Sequence, residues 1–205
     1  MARYGTTPAA PSGGPSMSET KQRLLLYGTG AIGVALLPAY VTWLRAVAPE
    51  LELRILLTHS ASRFVSDRAL RVIGDCETRI DQWDAFDDRG GPPHLELAAW
   101  PDVVLVYPAT THFVSRFSLG LADTPGLLML QCTRAPVVVA PSLPAGCVDN
   151  DVVNGHLAAL ATRRGVTVLP TSSGPSVATG TATPGAPAAF PEAWKEVQRI
   201  WPRTP

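Results

Sequence analysis

The sequence predicts a three-layer α/β domain built on a doubly wound parallel sheet, and three observations predict it. Short, continuous aliphatic runs recur along the chain, as strands buried on both faces require. Stretches with helical spacing lie between them, which calls for right-handed crossovers. A glycine-rich turn, Gly28-Thr-Gly-Ala-Ile-Gly33, follows the first run directly. The 205 residues suit one domain of this kind.

Residues 1–20 are rich in Pro, Gly and Ser and read as a disordered tail. No apolar stretch stands behind their charged start, so no secretory signal is expected and the chain reads as cytoplasmic. The body, 21–170, opens with a strand at Leu24–Tyr27. This strand lies in an uncharged run, Leu24–Leu44, which is long enough to span a bilayer. Three glycines and Pro38 divide the run into a strand, a turn and a helix from Ile32 to Val47, so no membrane span is expected. Further strands are expected at Leu53–Leu57, Val103–Tyr107, Val137–Ala140 and Val166–Leu169, with a helix from His156 to Arg164 stopped by Gly165 as its C-cap. The stretch 171–190 has few large apolar side chains and reads as a flexible loop anchored at both ends. The last segment, 191–205, reads as a helix with Trp194, Val197 and Trp201 on one face.

Composition excludes several function classes. Lys plus Arg equals Asp plus Glu at 17 each, so the chain has no net field to hold nucleic acid or an anionic membrane. Cys76, Cys132 and Cys147 are widely spaced and odd in number, which argues against a disulfide framework and against a structural metal site.

Doubly wound sheets bind ligands beyond the carboxyl ends of their strands, so the residues after each run are those to read for chemistry. The glycine turn offers main-chain amides and the positive end of a helix to a phosphate, although a ligand-free strand-to-helix turn has the same pattern. A dinucleotide site would want Asp or Glu after the second strand. Here Thr58-His59-Ser60-Ala61 follows it, and hydroxyls in place of the acid favour a mononucleotide over NAD. After the third run comes Pro108-Ala-Thr-Thr-His-Phe113, and after the fourth Pro141-Ser-Leu-Pro-Ala-Gly-Cys147.

With these segments in place, the chain resembles the homo-oligomeric flavin-containing cysteine decarboxylases, whose sheet is Rossmann- or flavodoxin-like. Their strand-T-G-S-I-A opening is matched by Tyr27-Gly28-Thr29-Gly30-Ala31. Thr58, Ser60, Ala61, Phe64 and Val65 match the residues after their second strand. His94 and the following Trp100-Pro-Asp102 match a histidine before a short helix ending W-A-D. Pro108–Phe113 and Gly120-Leu-Ala-Asp123 match P-A-S-A-N-T and G-I-A-D. The resemblance implies a flavin, FMN with FAD as the alternative, held by Gly28, Thr29, Gly30, Ala31, Thr58, Ser60, Phe64, Pro108, Ala109, Thr110 and Thr111. It implies that His94 is the catalytic base. His112 replaces the family's Asn, as a second base, a neutral donor or a ring packed on the flavin. His59 and His156 read as ordinary surface or supporting residues, and Cys147 as a small half-buried thiol.

The chain departs from the family pattern P-x-M-N-x-x-M-W, where Leu143, Pro144, Cys147 and Val148 replace Met, Asn, Met and Trp. The coenzyme A branch carries a cysteine acid in its C-terminal clamp loop, and this chain has no cysteine after Cys147. The resemblance therefore implies oxidative decarboxylation of the C-terminal cysteine of a ribosomally made, lanthipeptide-type precursor, leaving an enethiol for aminovinyl-cysteine formation. Alternatives are a phosphopantothenoylcysteine decarboxylase, a prenyl-transferring flavin enzyme with the same G-A-I turn, or a non-catalytic flavin-binding subunit. The resemblance also implies a homotrimer, with a dodecamer as its larger shell, and a mobile clamp hairpin at 171–190 over the peptide.

Overall fold

The first strand, β1 (Arg23–Gly28), alternates its side chains across the sheet. Leu24 and Leu26 enter one buried cluster while Leu25 and Tyr27 enter the other. Beside it run β2 (Glu52–Leu57), β3 (Glu77–Ile80), β4 (Val103–Thr110), β5 (Val137–Ser142) and β6 (Val166–Val168). The order is β3-β2-β1-β4-β5-β6 and every neighbouring pair is parallel. The chain direction of the winding reverses between β1 and β4, so a crevice opens beyond their carboxyl ends. This computed structural model describes residues 21–86, 91–175 and 180–201. The expected tail at 1–20, part of the expected clamp at 176–179 and the last residues, 202–205, lie outside that range.

Helices complete the two outer layers. α1 (Leu37–Val47), α2 (Asp67–Gly74) and α7 (Phe190–Ile200) cover one face, where Leu37, Val41 and Leu44 of α1 repeat at the spacing of a helical stripe. α3 (Pro93–Ala99), α4 (Thr111–Ser118), α5 (Pro125–Cys132) and α6 (Asp151–Thr162) cover the other. No helix among the described residues is long and apolar enough to cross a membrane, and the uncharged run 24–44 is divided between β1, a turn and α1.

Three local readings are corrected. β3 is a strand that the aliphatic runs do not reveal, because Glu77-Thr-Arg-Ile80 sits at the sheet edge and buries only Thr78. The helix after the glycine turn begins as a tight 3-10 turn, Ile32–Leu36, and becomes α-helical from Leu37, with Pro38 in its first turn. α6 begins earlier than its periodicity suggests, where the Asn150 side chain accepts the amides of Val152 and Val153 at 3.0 and 3.1 Å. It is capped at Arg163, and Gly165, at φ 81°, instead turns the chain into β6.

After β6, β7 (Ser172–Pro175) and β8 (Ala182–Ala186) form an antiparallel hairpin. Its base is fixed at two places. Leu143 donates its amide to the Gly185 carbonyl at 2.7 Å, and the Tyr107 hydroxyl donates to the Ala188 carbonyl at 3.0 Å. α7 follows and packs Phe190 flat on Tyr40, with ring centroids 4.5 Å apart. The motif aspartate Asp102 binds the start of β4 to the start of β1, accepting both the main-chain amide and the guanidinium of Arg23 at 2.9 Å.

Candidate functional site

The crest at the β1/β4 reversal is shaped first by missing side-chain carbon. A Cβ on Gly28 would stand 2.9 to 3.1 Å from methyl groups of Leu57, Leu37 and Val34, so glycine lets the helix start settle against the strand without displacing them. A Cβ on Gly30 would meet the Cβ of Ser60 at 2.5 Å, so the turns after β1 and β2 close on each other through this residue. Gly33 faces open space, and packing does not demand it. At Ala31, which caps the 3-10 turn without a side-chain hydrogen bond, the amide donates to the Thr29 carbonyl at 2.8 Å and the carbonyl accepts the Val34 amide at 2.9 Å, so the amides of Ile32 and Gly33 are those the turn leaves to a ligand.

Thr29 binds the crest together from inside. It is 1% exposed; its hydroxyl donates to the Pro108 carbonyl at 2.6 Å and accepts the Thr110 amide at 2.9 Å. Its side chain is thus turned inward, and its amide is engaged as well, donating to the Pro108 carbonyl at 3.3 Å. Thr58 joins the neighbouring turn, donating its amide to the Gly28 carbonyl at 2.9 Å while its hydroxyl accepts the Ala61 amide at 3.2 Å. Ser60 is exposed on this turn, and Phe64 lies beyond it with 45% of its surface open. Pro108 and Ala109 are buried at the end of β4. Thr110 caps α4 by accepting the Phe113 amide at 3.2 Å, and the Thr111 hydroxyl oxygen is buried with no hydrogen-bond partner. A close-approach glycine, unpaired helical amides, an exposed hydroxyl and an orphaned buried one together fit a phosphate-bearing ligand with a polar ring.

The histidines are placed differently. His94 occupies the first turn of α3, half-buried, and its Nδ1 is buried without a hydrogen-bond partner. α3 packs on the layer opposite α1, in the buried cluster it shares with α4 and α5, whereas Gly28–Ala31, Thr58, Ser60 and Pro108–Thr111 gather at the carboxyl ends of β1, β2 and β4. His112 is exposed in the first turn of α4, directly after the crest threonines. His59 is exposed beside Ser60, and His156 Nδ1 meets the Ser118 hydroxyl at 2.7 Å, joining α6 to α4. In the segment that departs from the family pattern, Leu143 is 8% exposed, Pro144 precedes a 3-10 turn at Ala145–Cys147, and Cys147 is half-buried.

One polar network was not visible in the sequence. Asp81, 3% exposed at the end of β3, accepts the Gly126 amide at 2.7 Å and the Tyr27 hydroxyl. Burial pushes its carboxyl above the usual range, against hydrogen bonds from Thr124, Tyr27 and Gly126 that pull the other way. Burial, and then the Asp81 charge, push the Tyr27 phenol well up. A Cβ on Gly126 would reach the Tyr27 hydroxyl, so this glycine makes room for the contact. Nearby, the Arg116 guanidinium holds the Asp123 carboxyl below its usual range, and the Asp123 carbonyl accepts the Trp83 indole at 3.0 Å. No local pattern could have paired residues this far apart in sequence. A cavity of about 560 Å³ lies at the opposite edge of the sheet, lined by Arg45, Glu52, Arg54, Cys76 and Trp100 among others, away from the crest.

Residues 13–199 match the Flavoprotein family. A cypemycin cysteine dehydrogenase (decarboxylating) from Streptomyces sp is 37% identical over 153 residues, 74% of this chain and 77% of that protein. The crystal structure of the cypemycin decarboxylase CypD has a TM-score of 0.64 at 36% identity, covering 85% of this chain and 94% of its own. The FMN-dependent cysteine decarboxylase SpaF shares the fold, with a TM-score of 0.73 at 23% identity over 85% of this chain and 94% of its own. With the glycine crest and the orphaned threonine in place, these matches show that the chain belongs to the Flavoprotein family, on its flavin-dependent cysteine decarboxylase branch.

Proposed function

We propose that this chain, with FMN bound, oxidatively decarboxylates the C-terminal cysteine of a ribosomally made peptide to an enethiol. The observation that carries this reading is the 37% identity to the cypemycin cysteine dehydrogenase (decarboxylating), which extends over most of both chains. The amides of Ile32 and Gly33 and the Ser60 hydroxyl would hold the phosphate, Ala109, Thr110 and Thr111 would border the ring, and Phe64 would flank it. When bound, the flavin supplies the two-electron acceptor for the hydride lost from cysteine Cβ. That oxidation turns the cysteine into a thioaldehyde, and the adjacent carboxylate then leaves as carbon dioxide while its electron pair forms the enethiolate.

His94 takes the thiol proton in this reading. In this reading the crest it serves is that of a neighbouring subunit in a homotrimer. His112, exposed at the start of α4, faces the cysteine carboxylate in place of the family's amide, since Pro144 has no side-chain donor. The β7–β8 hairpin, held to Leu143 through Gly185, covers the peptide tail and keeps water from the reacting carbon.

The test is mass spectrometry of peptides ending in Cys after incubation with the yellow protein and oxygen. The expected product lacks carbon dioxide and two hydrogens. Yellow protein that leaves every Cys-ended peptide intact would make the chain a flavin-binding subunit without this activity.

A further inference from the structure

Trp83 stands on a turn that is pinned on three sides. At its root, buried Asp81 accepts the Gly126 amide at 2.7 Å and the Tyr27 hydroxyl. At its exit, Phe86 is 7% exposed and lies under the Arg79 guanidinium, 5.0 Å from the ring centre. The Trp83 indole itself donates to the Asp123 carbonyl at 3.0 Å. Yet 46% of Trp83 is open to solvent, so burial of this large ring does not account for the effort of fixing it.

What the fixed ring touches is His94. The two ring centroids are 6.3 Å apart at 72°, an edge-to-face contact. The Nδ1 of His94 is buried and has no hydrogen-bond partner, so no acceptor sets the plane of the imidazole from that side. In many histidine sites a carboxylate or carbonyl on the second nitrogen sets both tautomer and orientation. Here the indole, itself fixed to the Asp123 carbonyl, is the rigid group against the ring.

We propose that Trp83 is a positioning residue for His94: its indole wall holds the imidazole in the orientation from which it serves as base. The inference rests on the reading of His94 as the base. Trp83 touches neither peptide nor flavin in this role and acts through the histidine alone. A freely turning imidazole would spend most of its time out of line with the thiol proton, and the rate would fall without loss of binding.

The experiment compares Trp83→Ala, Trp83→Phe, His94→Asn and the Trp83→Ala/His94→Asn double variant, all as flavin-loaded protein. The first readout needs no turnover. Four histidines give four Cε1–H signals in a carbon–proton NMR spectrum, and His94→Asn identifies its own by loss. Trp83→Ala should move and broaden that signal alone, and Trp83→Phe should return it towards its native position. In turnover of a Cys-ended peptide, Trp83→Ala should lower kcat on the order of tenfold with KM and flavin content unchanged. Trp83→Phe should recover most of the loss. In the His94→Asn background, Trp83→Ala should change the residual rate no further. A stationary His94 signal in Trp83→Ala, or rate losses that multiply in the double variant, would overturn the proposal. Full activity in His94→Asn would instead remove the base reading, and the NMR arm would still report whether the wall holds the ring.

Discussion

Replacing Thr29 with Val tests whether the crest is held by a single buried hydroxyl. The substitution keeps the shape of the side chain and deletes only its hydrogen-bonding group. Thr29 is 1% exposed, so water cannot take over. The Pro108 carbonyl loses the hydroxyl at 2.6 Å but keeps the Thr29 amide at 3.3 Å. The Thr110 amide, 2.9 Å from the hydroxyl, loses its partner outright. A buried donor left unpaired costs about 1–3 kcal/mol, and the weakened carbonyl adds about 1 kcal/mol. The expected loss is therefore about 2–4 kcal/mol, which in a chain of this size lowers Tm by about 4–16 °C. Thr29→Ser is the control: it keeps the hydroxyl, removes one methyl, and should cost only about 1 kcal/mol. Thermal unfolding of the flavin-free protein at fixed concentration measures the stability, and quenching of flavin fluorescence measures binding. Because Thr110 and Thr111 border the proposed ring site, Thr29→Val should weaken flavin binding more than Thr29→Ser does. Equal Tm and equal flavin affinity in the two variants would refute the bridge as the element that joins β1 to β4.

Gly30→Ala should yield protein that is pale or colourless, because its Cβ would overlap that of Ser60; adding Ser60→Gly should restore part of the colour, as read from the flavin absorbance of equal protein amounts. His94→Asn should keep flavin and assembly and lose decarboxylation, whereas His112→Asn should keep substantial activity if that side chain only donates a hydrogen bond; both are read by product mass. Asp81 predicts a pH dependence of fixed sign. Its carboxyl is raised above the ordinary 3.8, so its contribution to stability is fully present below that value and is lost as pH rises through the raised one. The denaturation midpoint of the native protein should accordingly fall relative to that of Asp81→Asn across this window, and parallel curves would contradict the burial assigned to the carboxylate.

The strands buried on both faces were legible because a continuous aliphatic run has no other common use at that length. Leu24–Tyr27 and Val137–Ala140 announce themselves in this way. β3 was silent because an edge strand buries one face at most, and Thr78 is its only buried side chain. The crest was legible through its glycines, but the work done by Thr29 was not. Its hydroxyl closes a contact with residues 79 and 81 positions away, which no local pattern encodes. The same holds for Asp81, whose partners Tyr27 and Gly126 lie 54 and 45 positions from it. His94 could be singled out only by resemblance. Nothing in Pro93-His-Leu-Glu96 distinguishes a base from a helix-entry residue.

The crest has one further consequence, which concerns inheritance. Its contact surface consists largely of peptide groups, of the carbon that glycine lacks at positions 28 and 30, and of hydroxyls that Ser or Thr supply equally well. A lineage can therefore rewrite most of its letters without rewriting the receptacle. What it requires is two glycines and one inward-facing hydroxyl. The turn after β5 carries no such immunity. It presents side chains such as Pro144 and Cys147, so drift there alters what is admitted beside an unaltered receptacle. Selection for new peptide clients would thus be written in that turn and in the hairpin resting on it.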